Sequence, residues 1–379
     1  LREIISYFLK LGCLGFGGPI ATMAMMESEL VSQRKWIEPE RFARAYALVK
    51  VLPGAAAIQM AIYIGQARRG RLGGLTAGLC FILPAFFLVL GISIAYTHFH
   101  DVPKANKLFS GMQVAALVVI LESVFRMSKP YRRKVRSILI ALTSAFFIFY
   151  KPSIEPLVIL GFGLIGASNI FANGPRNAAA FFALPAFFQN GIFQGSFFQN
   201  NFLQDFLQSP LAKVTLVCLK AGALVFGTGL AIIPMLEHDV VGHYHWLTHA
   251  EFLDGLAIGQ VTPGPVVITA TFIGYKVAGF AGAVFATLAI ILPGFINILF
   301  IIPPFEKRIS ASHQLKDFTH WAIPAVIGGI FGTTIRLGFL VVNTVSLGLL
   351  LAATIIVVYK IKPPVWMVIP LVGLTYLFL

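Results

Sequence analysis

The chain has 379 residues, 58% hydrophobic and only 12% charged, with a formal net charge of +14 and a mean hydropathy of +0.84. A soluble domain carries about 45–50% apolar and about 25% charged residues, so composition excludes a water-soluble globular protein and places the chain in a lipid bilayer. The positive charge does not point to nucleic acid. Its carriers sit in short connections between apolar runs, such as Arg68-Arg69-Gly70-Arg71 and the six Lys/Arg of 126–136, where they set orientation and meet anionic headgroups.

Taken in chain order, the hydropathy pattern predicts six apolar segments at about 4–26, 44–67, 72–97, 109–125, 137–150 and 157–171. Six more follow at about 211–236, 252–275, 277–302, 320–336, 339–359 and 364–379. Leu72–Thr97 alone carries no charge over 26 residues, more than the ~20 a helix needs to cross a bilayer. Long runs of Leu, Ile, Phe and Ala do not alternate as barrel strands do. The predicted fold is an all-α polytopic integral membrane protein. No cleavable leader is visible, because the first apolar stretch belongs to a repeated unit. A location in the cell membrane, spanning it many times, follows.

That repeated unit is the main sequence finding. Phe8 to Phe86 reappear as Cys218 to Phe295, at an offset of 210 residues that becomes 209 after one indel. Lys10-Leu11-Gly12, Phe16-Gly17-Gly18, Glu27, Trp36, Pro53-Gly54 and Leu83-Pro84 match Lys220-Ala221-Gly222, Phe226-Gly227-Thr228, Glu237, Trp246, Pro263-Gly264 and Leu292-Pro293. Two homologous halves are expected, 1–171 and 211–379, with 172–210 as the connecting segment. That segment is either an interfacial linker or contains one extra crossing. The loops at 68–71 and 126–136 hold nine Lys/Arg, their counterparts two, and the charge reappears at 303–319 and 360–362. This swap favours inverted repeats, while Arg34, Lys35, Arg41 and Arg44 run against it.

The first two segments of each half are interrupted, at Gly17-Gly18-Pro19, Pro53-Gly54, Gly227-Thr228-Gly229 and Pro263-Gly264-Pro265. Proline removes a backbone donor and glycine tolerates left-handed dihedrals. Freed backbone groups must be buried in protein or line a wet cavity, so broken or re-entrant helices are expected to meet near the middle of the fold. Free N–H groups at a new helix N-terminus form an anion site. Lys50 and its counterpart Gln260, with Gln59 and Thr262, are the candidate side-chain contacts. A lysine in an apolar segment costs on the order of 2.5–3.5 kcal/mol unless it meets a counter-charge or water; snorkelling to the interface is the competing reading. Glu27 and Glu237, with Lys10 and Lys220, are candidates for coupling. Glu122 and Arg126 are spaced to pair on one helix, and Arg336 reads as the end of a span.

No Walker loop, dinucleotide fingerprint or nucleophile set is present, so no enzyme activity and no cofactor are expected. His238, His243, His245 and His249 crowd one loop without a partner Cys or carboxylate pattern, so no metal site is expected. Cys13, Cys80 and Cys218 read as apolar packing residues.

These motifs resemble those of the chromate ion transporter family, in its long, two-domain form. The resemblance runs through Phe8–Gly12, Phe16–Pro19, Arg34-Lys35-Trp36, Glu40-Arg41-Phe42, Leu52-Pro53-Gly54, Gln59 and Ala61–Gly65. In the second half it runs through Trp246-Leu247-Thr248, Glu251–Gly255, Gly259–Pro265 and Thr269–Gly274. It implies transport of chromate, usually outward and conferring resistance, with sulfate as the related oxyanion, by two halves in opposite orientation. Lys50, Ala55 and Ile58 depart from the pattern, which has Gln, Pro and Thr there. A sulfate or other oxyanion transporter and a passive anion channel stand as alternatives. The expected partners are an oxyanion and the bilayer, with pairing into a homodimer left open.

Overall fold

Hydrocarbon offers no partner to a backbone N–H or C=O, so an apolar chain of this kind satisfies its amides within helices. The computed structural model describes residues 1–16, 18–99, 102–168, 208–225, 229–304 and 312–379. The first half comprises α1 (Arg2–Leu14), α2 (Gly18–Met26), α3 (Pro39–Val51), α4 (Ala56–Phe99), α5 (Pro103–Ser128), α6 (Val135–Tyr150) and α7 (Glu155–Ala167). The second comprises α8 (Pro210–Leu224), α9 (Ile232–Glu237), α10 (His249–Val261), α11 (Thr269–Ile296), α12 (His313–Val341), α13 (Val345–Ile361) and α14 (Val365–Phe378). No strand occurs among the described residues. Four stretches, Ala56–Phe99, Pro103–Ser128, Val266–Pro304 and His313–Val341, are long and apolar enough to cross a membrane. The protein is an all-α membrane protein; whether 172–210 adds a crossing lies largely outside the described residues.

The interruptions read from the sequence divide the elements. Segment one becomes α1 and α2, parted at Gly15-Phe16, and segment two becomes α3 and the start of α4, parted at Leu52–Ala55. α4 is a helical hairpin. Arg69 (φ −144°) and Gly70 (φ 63°) leave helical geometry, and the arms 56–68 and 71–99 fold back on each other. Gly65 lies against Gly73, and Ile62 against Gly74 and Gly78, where no side chain larger than hydrogen fits. Ala278 (φ −143°) and Gly279 (φ 61°) make the same turn in α11, with Gly274 against Gly282. α2 and α9 both continue into a π-helical turn, at Glu27–Gln33 and His238–His243.

The hairpins also fix the relation between the halves. Gly74 packs under Leu299 and Gly78 under Phe295, so the second arms of α4 and α11 run antiparallel. Equivalent helices running in opposite directions are what inverted repeats require. The halves are interlocked as well. α12 packs on α6 and α7 of the first half, with Gly328 against Ala141 and Gly163 against Phe318. α5 packs on α13 and α14 of the second, with Gly111 against Val372 and Gly373. Small residues let these backbones approach where apolar burial alone drives little association in lipid. Phe8, Phe81, Phe252, Phe272 and Phe318 fill the interior, while Phe87, Phe146, Phe280 and Phe339 stand exposed as a lipid-facing surface would.

Candidate functional site

The four interruptions come together in two cross-half pairs. Gly54 N–H donates to the Val225 carbonyl at the end of α8 (2.6 Å), and Gly264 N–H donates to the Gly15 carbonyl at the end of α1 (3.2 Å). Each bond joins the second break of one half to the first break of the other. Gly54 (φ +127°) and Gly264 (φ +109°) occupy a region side-chain-bearing residues rarely adopt, which is why glycine stands at both positions. The Pro53 carbonyl, freed by the break, accepts from Gln59 Nε2 (2.7 Å) and from Asn297 Nδ2 of the opposite half (2.7 Å).

Beside the Gly264–Gly15 junction lies a small, open-mouthed cavity. Gly18 and Pro19, at the start of α2, form one wall. Gln260, Thr262, Gly264 and Val266, from the end of α10 and the entry to α11, form the second. Ser123 and Arg126 of α5 form a third, and Phe16, Leu230, Val365 and Trp366 supply apolar cover. Phe16 and Trp366 lie ring to ring, with centroids 5.4 Å apart. Two helical starts, at Gly18 and Val266, therefore line one space, and a helix start carries the positive end of the helix dipole. The Arg126 guanidinium adds positive charge, partly offset by Glu122. It contacts Ser123 Oγ (3.3 Å) and Glu122 (3.3 Å). No carboxylate lines the described wall, and Gln260 Nε2 is buried without a hydrogen-bond partner. The chemistry on offer is recognition of a small anion by backbone amides, one amide side chain and one guanidinium.

Of the residues singled out in the sequence, Gly18, Pro19, Gln260, Thr262 and Gly264 line this cavity. Gly17, Gly227 and Thr228 fall outside the described residues. Gly229, Pro263 and Pro265 are buried beside it, and Thr262 Oγ1 donates back to the Gly259 carbonyl (3.1 Å). Pro53, Gly54 and Gln59 belong to the opposite junction, where the Gln59 amide is engaged with Pro53. Lys50 stands on the exposed face of α3, its ammonium 4.0 Å from the Tyr46 ring centroid.

The coupling candidates divide by half. Glu27 and Lys10 are exposed. Glu237 is buried and paired with Arg336, and His249 Nδ1 approaches its other oxygen at 3.1 Å. Lys220 pairs with Asp239. Arg336 is thus no mere span end: burial of Glu237 requires its charge inside the bundle. Arg126 and Arg336 are equivalent positions, and that matched pair of cations within apolar spans was the signal for Arg126. Asp254 gave none, since its equivalent is Arg44; it accepts from Tyr96 Oη (2.8 Å) and Gln113 Nε2 (2.8 Å) and fastens α10 to α4 and α5. Among the described residues no group of three His, Cys, Asp or Glu is placed to hold a metal ion.

The sequence profile of the chromate transporter family matches residues 2–167 and again 212–377. The chain belongs to the chromate transporter family. It is similar to the chromate transport protein of Cupriavidus metallidurans, 32% identical over 96% of this chain and 88% of that protein. The chromate transport protein of Pseudomonas aeruginosa is 33% identical over 88% of this chain and 80% of its own length. An uncharacterized transporter of Methanocaldococcus jannaschii is 30% identical over 94% and 89%. No solved structure matches the chain. These relatives are named as transporters, in keeping with a membrane protein that moves a solute rather than transforming it.

Proposed function

We propose that this chain is a secondary transporter that carries chromate, with sulfate as the related divalent oxyanion, outward across the plasma membrane by alternating access between its two halves. The observation that carries this reading is the carboxylate-free cavity in which two helix N-termini, Gln260 and Arg126 converge at a junction of both halves. A tetrahedral dianion replaces the water it loses with N–H donors that are already oriented, so desolvation is compensated without reorganisation. The family's relatives named as chromate transport proteins support the choice of oxyanion. Coupling runs through protons or through the membrane potential alone, and Glu237 and Glu27 are the equivalent carboxylates that the sequence offers for it.

The test is uptake of labelled chromate and labelled sulfate into proteoliposomes holding the purified protein, with an imposed pH gradient or potential. A transporter shows saturable flux and counterflow. Flux linear in substrate without counterflow identifies a channel, and no chromate flux under any gradient overturns the reading.

A further inference from the structure

Glu155 is the one carboxylate in the described chain that is wholly buried with neither oxygen hydrogen-bonded. It opens α7 and points at α12, where Gly329 leaves room for it; a Cβ on Gly329 would lie 3.4 Å from Glu155 Oε1. Other orphaned polar atoms gather on the same contact. Ser144 Oγ, on the α6 face that meets α12, and Thr333 Oγ1, one turn along α12 from Gly329, are buried and unpartnered. Buried polar atoms without partners are uncommon, and several in one place call for an explanation.

The charged neighbours supply one. Glu237 of α9 and Asp239 just beyond it press negative charge on Glu155, and Lys220 of α8 opposes them. Each of those groups is already committed: Glu237 to Arg336 of α12 and His249 of α10, Asp239 to Lys220 and His238. Among the described residues no cation is left over for Glu155. An unpaired carboxylate in such a place is stable as the neutral acid, and it ionises when a counter-charge or water reaches it.

We propose that Glu155 is the binding site of the proton coupled to transport, and that the Lys220–Asp239 pair decides whether it is held. Binding forms one O–H bond on a Glu155 oxygen. Release breaks that bond, sends the proton to water and leaves a carboxylate, which Lys220 can compensate only by loosening its hold on Asp239. Loss of the proton is therefore tied to a rearrangement of α8 against the turn that follows α9, as coupling demands. The inference rests on the transporter reading above and adds to it the identity of the driving ion and its carrier.

The experiment uses full-length protein in proteoliposomes, at alkaline pH where chromate is the dianion, with a pH-sensitive dye inside the vesicles. In the parent, chromate movement carries protons with it. Glu155→Gln is expected to lose that proton movement and the response to a pH gradient while chromate–chromate exchange at equal pH persists. Glu155→Asp is expected to keep a weakened proton movement, and it replaces the glutamine variant should that one fail to fold. Infrared difference spectra on a pH jump give a readout independent of flux: the band of a buried neutral carboxylic acid, present in the parent and absent from Glu155→Gln. Protons that still accompany chromate in Glu155→Gln, or chromate flux without protons in the parent, overturn the proposal. A parent that moves no chromate defeats the transporter reading instead, and the infrared band then decides the proton site alone.

Discussion

Arg126 shows how little a single charge says until its surroundings are known. Glu122 four residues earlier made it look like half of an intrahelical pair, and that pair is present at 3.3 Å. Yet the same guanidinium forms part of the cavity wall, and its side chain keeps 41% exposure. A charge-assisted hydrogen bond to an anion is worth about 1.5–3 kcal/mol. Arg126→Ala is therefore expected to raise the chromate KM roughly ten- to hundredfold, by the same free energy read as affinity, with the unfolding midpoint nearly unchanged. Arg126→Lys restores part of the loss. Gly264 acts through shape alone. A methyl there must adopt φ +109° and lies 3.2 Å from Ala85 Cβ. Gly264→Ala is expected to destabilise the fold by about 1–2 kcal/mol, seen as a lower thermal midpoint in detergent. Gly91→Ala, with open space around it, is the control and should show no such fall.

At the scale of elements, each interruption was legible because glycine and proline inside an apolar run have few other uses. Pro53-Gly54 and Pro263-Gly264 marked the breaks, and Arg68–Arg71 marked the turn of the α4 hairpin. What the sequence did not carry was which break would meet which. The bonds Gly54–Val225 and Gly264–Gly15 join residues far apart in the chain and depend on inverted packing that no local pattern encodes. Lys50 and Gln260 part company for a related reason. Its spacing from Pro53 copies that of Gln260 from Pro263, but α3 has an exposed face where α10 is buried nearly all round. α10 is held at its start by a capping box, Thr248 with Glu251, and by Lys276 Nζ at 2.8 Å from Glu251 Oε1. Partial burial works against the Glu251 carboxylate, but the Lys276 and Thr248 donors outweigh it and hold its pKa below the ordinary value. A depressed folded-state value means stabilisation that is complete above the unfolded pKa and lost as pH falls through the folded one. The thermal midpoint should drop on acidification through the carboxylate range. Lys276→Met, lower at neutral pH, should show a smaller drop.

For the whole molecule, the motifs that the halves share in sequence give way to inequality in structure. The Glu237–Arg336 pair is closed and buried, while the equivalent Glu27 is exposed and Arg126 lines the cavity. Asp254 secures α10 against α5, whereas Arg44 leaves α3 more loosely seated. Two inverted copies held in different arrangements are the requirement of a carrier that opens to each side in turn. Chains severed within 169–207 should yield fragments that copurify when made together and are degraded when made apart, as pull-down and pulse-chase would record. The reason lies in the exchange of flanks. α6 and α7 find their seat on α12, α13 and α14 find theirs on α5, and neither half keeps its own closing helices. A solitary copy of this repeat would leave its closing helices without the seat they have here, so each copy supplies the clasp that the other lacks.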